Sequence, residues 1–133
     1  MVFGSDDNKL YAVNTADGTK KWEFEAGGQF RTNVASSSDG TTVFVGSWDN
    51  KRYAINMADG TKKWEFLTGG NVESSPALSS DGATVFVGSD DNKLYAINTA
   101  DGTKKWEFLT EGNVDSSPTL SSDGATVFVG SDD

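Results

Sequence analysis

The sequence predicts an all-β fold in which four-stranded antiparallel sheets pack face to face, and three observations predict it. The chain repeats itself every 42 residues. Each period holds four strand-length runs divided by Asp, Asn and Gly turn signals. The middle runs are apolar on both faces, and such a strand belongs in a sheet covered on both sides.

The repeat is explicit. Trp22, Trp64 and Trp106 stand 42 residues apart, and Gly4, Gly46, Gly88 and Gly130 keep the same step. The Asp-Gly pairs at 39–40, 81–82 and 123–124 follow it too, and residues 127–133 closely repeat Met1 to Asp7. Within a period the four runs are labelled A to D. Run A covers 115–121, with 73–79 as its counterpart. Asp81-Gly82 turns into run B, Thr84 to Ser89, and Asp91-Asn92 turns into run C, Lys93 to Asn98. Asp101-Gly102 then turns into run D, Lys104 to Leu109. These dipeptides favour hairpins because they tolerate positive φ. Strands are expected near 9–14, 43–47, 51–56, 84–89, 93–98 and 104–109, with no helix longer than two turns.

Patterning decides how the units pack. Val85-Phe86-Val87 and Leu94 to Ile97 are apolar on both faces, whereas Trp106 and Phe108 alternate with Lys105 and Glu107, as on a half-exposed outer edge. Sheets covered on both faces inside, with a polar outer strand, describe the blades of a β-propeller. Three Asp/Asn hairpins per unit fit a blade better than a β-solenoid coil. Residues 1–133 are expected to form a single propeller arc. It holds strands B-C-D of blade one, two full blades, then A-B of a closing blade.

The C–D hairpin narrows the class. Ala12 to Trp22 recurs as Ala54 to Trp64 and Ala96 to Trp106. It resembles the tryptophan-docking motif of pyrroloquinoline-quinone-like propeller repeats, Ala-x-Asp-x-x-Thr-Gly-Lys-x-x-Trp. Ala, Gly and Trp match in all three copies, while Asn14, Asn56 and Asn98 replace the Asp, and Asp17, Asp59 and Asp101 replace the Thr. The resemblance implies that Trp22, Trp64 and Trp106, with Gly18, Gly60 and Gly102, dock each blade on its neighbour. Each tryptophan is then expected to be largely buried, its indole N–H held by a neighbouring carbonyl.

Composition excludes several functions. With 11 Lys+Arg against 20 Asp+Glu, the net charge of −9 disfavours nucleic acid and anionic membrane surfaces as partners. There is no Cys and no His, so thiolate chemistry, the usual zinc sites and imidazole proton relays are unavailable. Quinoprotein dehydrogenases share the resemblance. Their cofactor sits with a Ca²⁺ held by Glu, Asn and Asp side chains, often beside a vicinal disulfide, which a chain without Cys lacks. Asp17, Asp39, Asp59, Asp81, Asp101 and Asp123 are turn carboxylates, expected to accept backbone N–H groups. The Ser-Asp-Asp-Asn runs at 5–8 and 89–92 lack calcium-loop spacing. The expectation is no enzyme, no catalytic residue, no cofactor and no metal.

Residues 43–84 and 85–126 differ at six positions only: Trp48/Asp90, Arg52/Leu94, Met57/Thr99, Gly69/Glu111, Glu73/Asp115 and Ala77/Thr119. Such near-identity marks recent duplication or deliberate design, so the chain is expected to be a fragment or an engineered repeat protein. In an A-B-C-D meander the D–A and B–C connections emerge at one end. Arg31, Asn33 and Trp48 are thus candidates for one ligand-binding mouth, with neutral drift as the favoured reading of these differences.

Three blades leave two apolar faces open, and such patches drive association. The expected function is a propeller scaffold that self-assembles, two copies closing a six-bladed ring as a homodimer. The alternative is a natural binding module with a protein or peptide partner, similar to propellers of outer-membrane protein assembly or cell-surface recognition. A piece of a quinoprotein dehydrogenase ranks third. For a natural chain, the resemblance implies an extracytoplasmic location.

Overall fold

Hairpin chemistry is repeated so regularly along this chain that every sheet is a simple meander. The structure, a computed structural model, describes residues 1–30, 34–72, 74–114 and 116–131. The first sheet contains β1 (Val2–Gly4), β2 (Lys9–Val13) and β3 (Lys20–Glu25). The second contains β4 (Ala35–Ser36), β5 (Thr42–Gly46), β6 (Lys51–Asn56) and β7 (Lys62–Leu67). The third repeats it with β8 (Ala77–Leu78), β9 (Thr84–Gly88), β10 (Lys93–Asn98) and β11 (Lys104–Leu109). The last two strands, β12 (Thr119–Leu120) and β13 (Val127–Phe128), form a two-stranded sheet. All pairings are antiparallel, and the described residues contain no helix.

The turns are preset by short side chains. Asn8, Asn50 and Asn92 occupy φ of 69°, 70° and 70°, a region Asn enters at little cost. In the C–D turn Asp59 Oδ1 accepts the Thr61 N–H at 3.1 Å, and Asn56 Nδ2 donates to Thr61 Oγ1 at 2.8 Å. The same bonds recur at Asn14, Asp17 and Thr19 and at Asn98, Asp101 and Thr103. Each C–D hairpin then carries a register shift, between Ala12/Val13, Ala54/Ile55 and Ala96/Ile97. Such a bulge bends the strand locally, and it falls beside the pair of a small Ala with a large Trp: Ala12↔Trp22, Ala54↔Trp64 and Ala96↔Trp106.

The core lies between sheets. Val43, Val45, Tyr53 and Ile55 of the second sheet pack on Leu10, Ala12 and Trp22 of the first. On its other face, Phe44, Ala54 and Trp64 meet Val85, Val87, Tyr95 and Ile97 of the third. Strands β5 and β9 are buried at every position, because alternate residues serve opposite interfaces.

Two expectations need correction. Run A shrinks from 73–79 and 115–121 to the two-residue strands β8 and β12, with Glu73 and Asp115 outside the described residues. The Ser74 hydroxyl accepts the Gly88 N–H and donates to the Gly88 carbonyl, at 2.9 and 3.1 Å, so a side chain takes the place of ladder bonds. At the other end the Ser79 hydroxyl is drawn into the turn by Asp81. The outer strand D also differs among the sheets. Strands β3 and β7 bury their tryptophans, but β11 is exposed along its whole length. Among the described residues no C–D hairpin lies beside it.

Candidate functional site

Two repeated constructions join one sheet to the next. The first is a tryptophan seat. The Trp22 indole, 7% exposed, lies on Gly60, where an added Cβ would stand 2.6 Å from the ring. Its Nε1–H donates to the Met57 carbonyl at 2.8 Å. Trp64, also 7% exposed, lies on Gly102 and donates to the Thr99 carbonyl at 2.8 Å. Gly60 and Gly102 have φ of 76° and 77°, so both the turn and the ring demand glycine. Trp106 departs from the expectation of burial. It is 42% exposed and touches Phe86 of its own sheet, while at Gly18 nothing lies within 4 Å of a Cβ position.

The second construction clamps the D–A connector. The Asp49 carboxylate, in the β5–β6 turn, accepts the Gly27 N–H at 3.1 Å and the Tyr53 hydroxyl. Asp91 does the same for Gly69, at 2.9 Å, and Tyr95. Burial first, and then these hydrogen bonds, push both tyrosine phenols up. The backbone completes the clamp, with the Trp48 N–H donating to Gln29 O and the Asp90 N–H to Asn71 O, each at 2.9 Å. The signal in sequence that could have revealed this clamp is the periodic Asp with a Tyr four residues later, at 7/11, 49/53 and 91/95.

At this same end Trp48 is 37% exposed, its backbone joined to the connector that leads towards Arg31 and Asn33. Arg31 and Asn33 lie outside the described residues. A further residue stood out in sequence only as a repeat difference. Arg52 is fully buried between the second and third sheets, where the other periods place Leu10 and Leu94. Its Nη2 donates to the Ser74 carbonyl at 3.0 Å, while Nε and Nη1 have no acceptor among the described residues. Loss of solvation lowers its ordinary 12.5 to about 9.

The carboxylates form no metal site of three or more His, Cys, Asp or Glu among the described residues. Asp17, Asp59 and Asp101 each accept the backbone N–H two residues on, as do Asp39, Asp81 and Asp123. Each of these turns thus engages one carboxylate oxygen, Oδ1, of its own aspartate.

The model of the PQQ-like repeat family described as outer membrane protein assembly factor BamB matches residues 2–133. The chain belongs to that family. A crystal structure of BamB from Moraxella catarrhalis has the same fold with a TM-score of 0.83, at 23% identity over 98% of this chain. The chain spans 39% of that BamB chain. None of the curated proteins matches the sequence significantly. The sheets of this BamB-family chain are therefore β-propeller blades, and its tryptophan seats and aspartate clamps lie between successive blades.

Proposed function

We propose that the chain is a non-catalytic, protein-binding propeller module that receives its partner at the end where the B–C turns meet the D–A connectors. The observation that carries this reading is Trp48. A large aromatic stands exposed on a turn whose backbone is clamped to the neighbouring connector. Tryptophan is among the residues most enriched at the energetic centres of protein interfaces. The match to a family described as an outer membrane protein assembly factor supports a protein partner. The absence of His and Cys from the sequence supports a non-catalytic role.

The test is a chemical-shift titration with extended peptides cut from an outer-membrane β-barrel protein. The amides of Gln29, Trp48 and Asp90 are expected to shift together, and Trp48→Ala to abolish the effect. Shifts confined to other surfaces would overturn the choice of site, and no shift with any peptide would overturn the reading.

A second reading is favoured by a separate observation. The third blade leaves Trp106 and Phe108 exposed, whereas their counterparts Trp64 and Phe66 are buried and half-buried, and β12–β13 is half a blade. We propose that these surfaces make the chain a self-assembling scaffold, two copies closing a six-bladed ring. Light scattering is then expected to give twice the 14.1 kDa chain mass at all but the lowest concentrations. A monomer would sink this second reading and leave the first standing.

A further inference from the structure

We propose that a cleft between the second and third blades binds a neutral monosaccharide, held by Thr41, Lys63 and Thr99. It lies at the end where the A–B and C–D turns meet, away from the B–C turns that carry Trp48.

The cleft forms where the repeats differ. Thr41 stands where the other A–B turns carry Ala83 and Ala125, and Thr99 stands where the preceding C–D turn carries Met57. Met57 packs its side chain on the core of the first junction. At the second junction the shorter Thr99 lines an open cleft of about 250 Å³. Pockets for drug-sized ligands span about 300–1,000 Å³, so this space suits a smaller molecule, such as a single sugar ring. Its walls are set in advance. The Trp64 Nε1–H donates to Thr99 O at 2.8 Å, and the Thr99 N–H donates to Ala83 O at 3.0 Å. Across the cleft, the Thr42 N–H donates to Ser37 Oγ at 3.1 Å.

The hydrogen-bonding character of the lining selects the ligand. Thr41 Oγ1 gives its proton to Asp39 Oδ1 at 2.8 Å, and Thr99 Oγ1 gives its proton to Gly82 O at 2.7 Å. Each hydroxyl therefore offers a ligand lone pairs and no proton. Asp39 and Asp81 each engage Oδ1 in their own turns, and a carboxylate has a second oxygen that also accepts. Among these acceptors stands one cationic donor. The Lys63 ammonium gives one N–H to Thr42 Oγ1 at 2.7 Å, out of the three an ammonium carries.

A matching ligand must donate to the hydroxyls and carboxylates and accept from Lys63. An alcohol group does both at a single oxygen. An anion would have no proton to give and would face two carboxylates against one ammonium, while a cation would face Lys63. Phe44 and Leu78 supply apolar surface for the carbon face of the ring.

Amide chemical-shift titrations of the intact chain with glucose, glucuronate and glucosamine test the proposal. Glucose is expected to shift Thr41, Lys63, Gly82 and Thr99 together and saturably. Each charged sugar is expected to bind at least about fivefold more weakly. Thr99→Met, which refills the cleft, is expected to weaken glucose binding by at least about tenfold. Thr41→Ala is expected to weaken it about fivefold. Both variants install the residue that other repeats carry, so the test stands even if one of them fails to fold. No saturable shift with glucose, or the same glucose affinity in both variants as in the parent chain, overturns the site. Glucuronate or glucosamine binding as tightly as glucose overturns the assignment of a neutral sugar.

Discussion

The Trp64 indole lies on Gly102 of the next blade and gives its Nε1–H to the carbonyl of Thr99, 2.8 Å away. One side chain thereby spans two blades, satisfying its polar atom while burying its rings. Replacing Trp64 with Ala should cost about 3–5 kcal/mol, the usual range for truncating a buried large aromatic. Trp106→Ala, at a half-exposed copy of the same residue, should cost markedly less in the isolated chain. Denaturant unfolding of the two variants checks the contrast, and equal losses would refute it.

Gly102→Ala should be worse than Gly40→Ala. Both glycines have φ near 75°, so both alanines suffer left-handed strain of about 1–2 kcal/mol. At Gly40 nothing lies within 4 Å of the new Cβ, whereas at Gly102 it would meet the Trp64 ring at 2.7 Å. Overpacking should add about 1–3 kcal/mol. The difference between their urea midpoints isolates the tryptophan seat from the turn.

Arg52→Leu should stabilise the protein. Two guanidinium nitrogens lack acceptors among the described residues, in an interface where Leu10 and Leu94 occupy the matching places. A buried donor left unsatisfied costs about 1–3 kcal/mol, and leucine removes that cost along with the buried charge. Thermal unfolding should shift upward. A lower midpoint would show that Arg52 holds the blade junction together.

Acid should weaken the fold through its turns. Hydrogen bonds from Ser37 Oγ, then from the Thr41 backbone and hydroxyl, lower the Asp39 carboxyl from 3.8 to about 2. Glu107 behaves alike, its carboxyl held down from 4.5 to about 2 by the ammonium groups of Lys104 and then Lys93. A carboxylate with a depressed folded value stabilises above its ordinary pKa, and loses that stabilisation as pH falls from about 4 through about 2. Asp39→Asn should flatten the stability–pH curve in that window. An unchanged slope would mean that the turn carboxylates contribute nothing to folding.

Much of this was legible beforehand because it is local. Strands β6, β10 and β11 match the expected 51–56, 93–98 and 104–109, since alternation and Asp-Gly or Asp-Asn turns act within a few residues. Run A was overestimated because the serine hydroxyls that replace its ladder bonds look, in sequence, like any polar strand residue. The candidate mouth was legible only as a break in the repeat: Trp48 stands exposed beside the connector, while Arg31 and Asn33 fall outside the described residues.

By itself the sequence determined the period, the hairpins and the family, because each is written in residues close along the chain. Only the tertiary structure decided which copy of a repeated residue is buried. Trp64 and Trp106 have the same neighbours in sequence, yet one is covered by the next blade and the other is half exposed. Arg52 and Leu94 likewise share a position whose burial makes one a buried charge and the other core. Burial depends on what packs against a blade from 35 or more residues away, as the Trp22–Met57 and Trp64–Thr99 bonds show. Local pattern cannot carry that information.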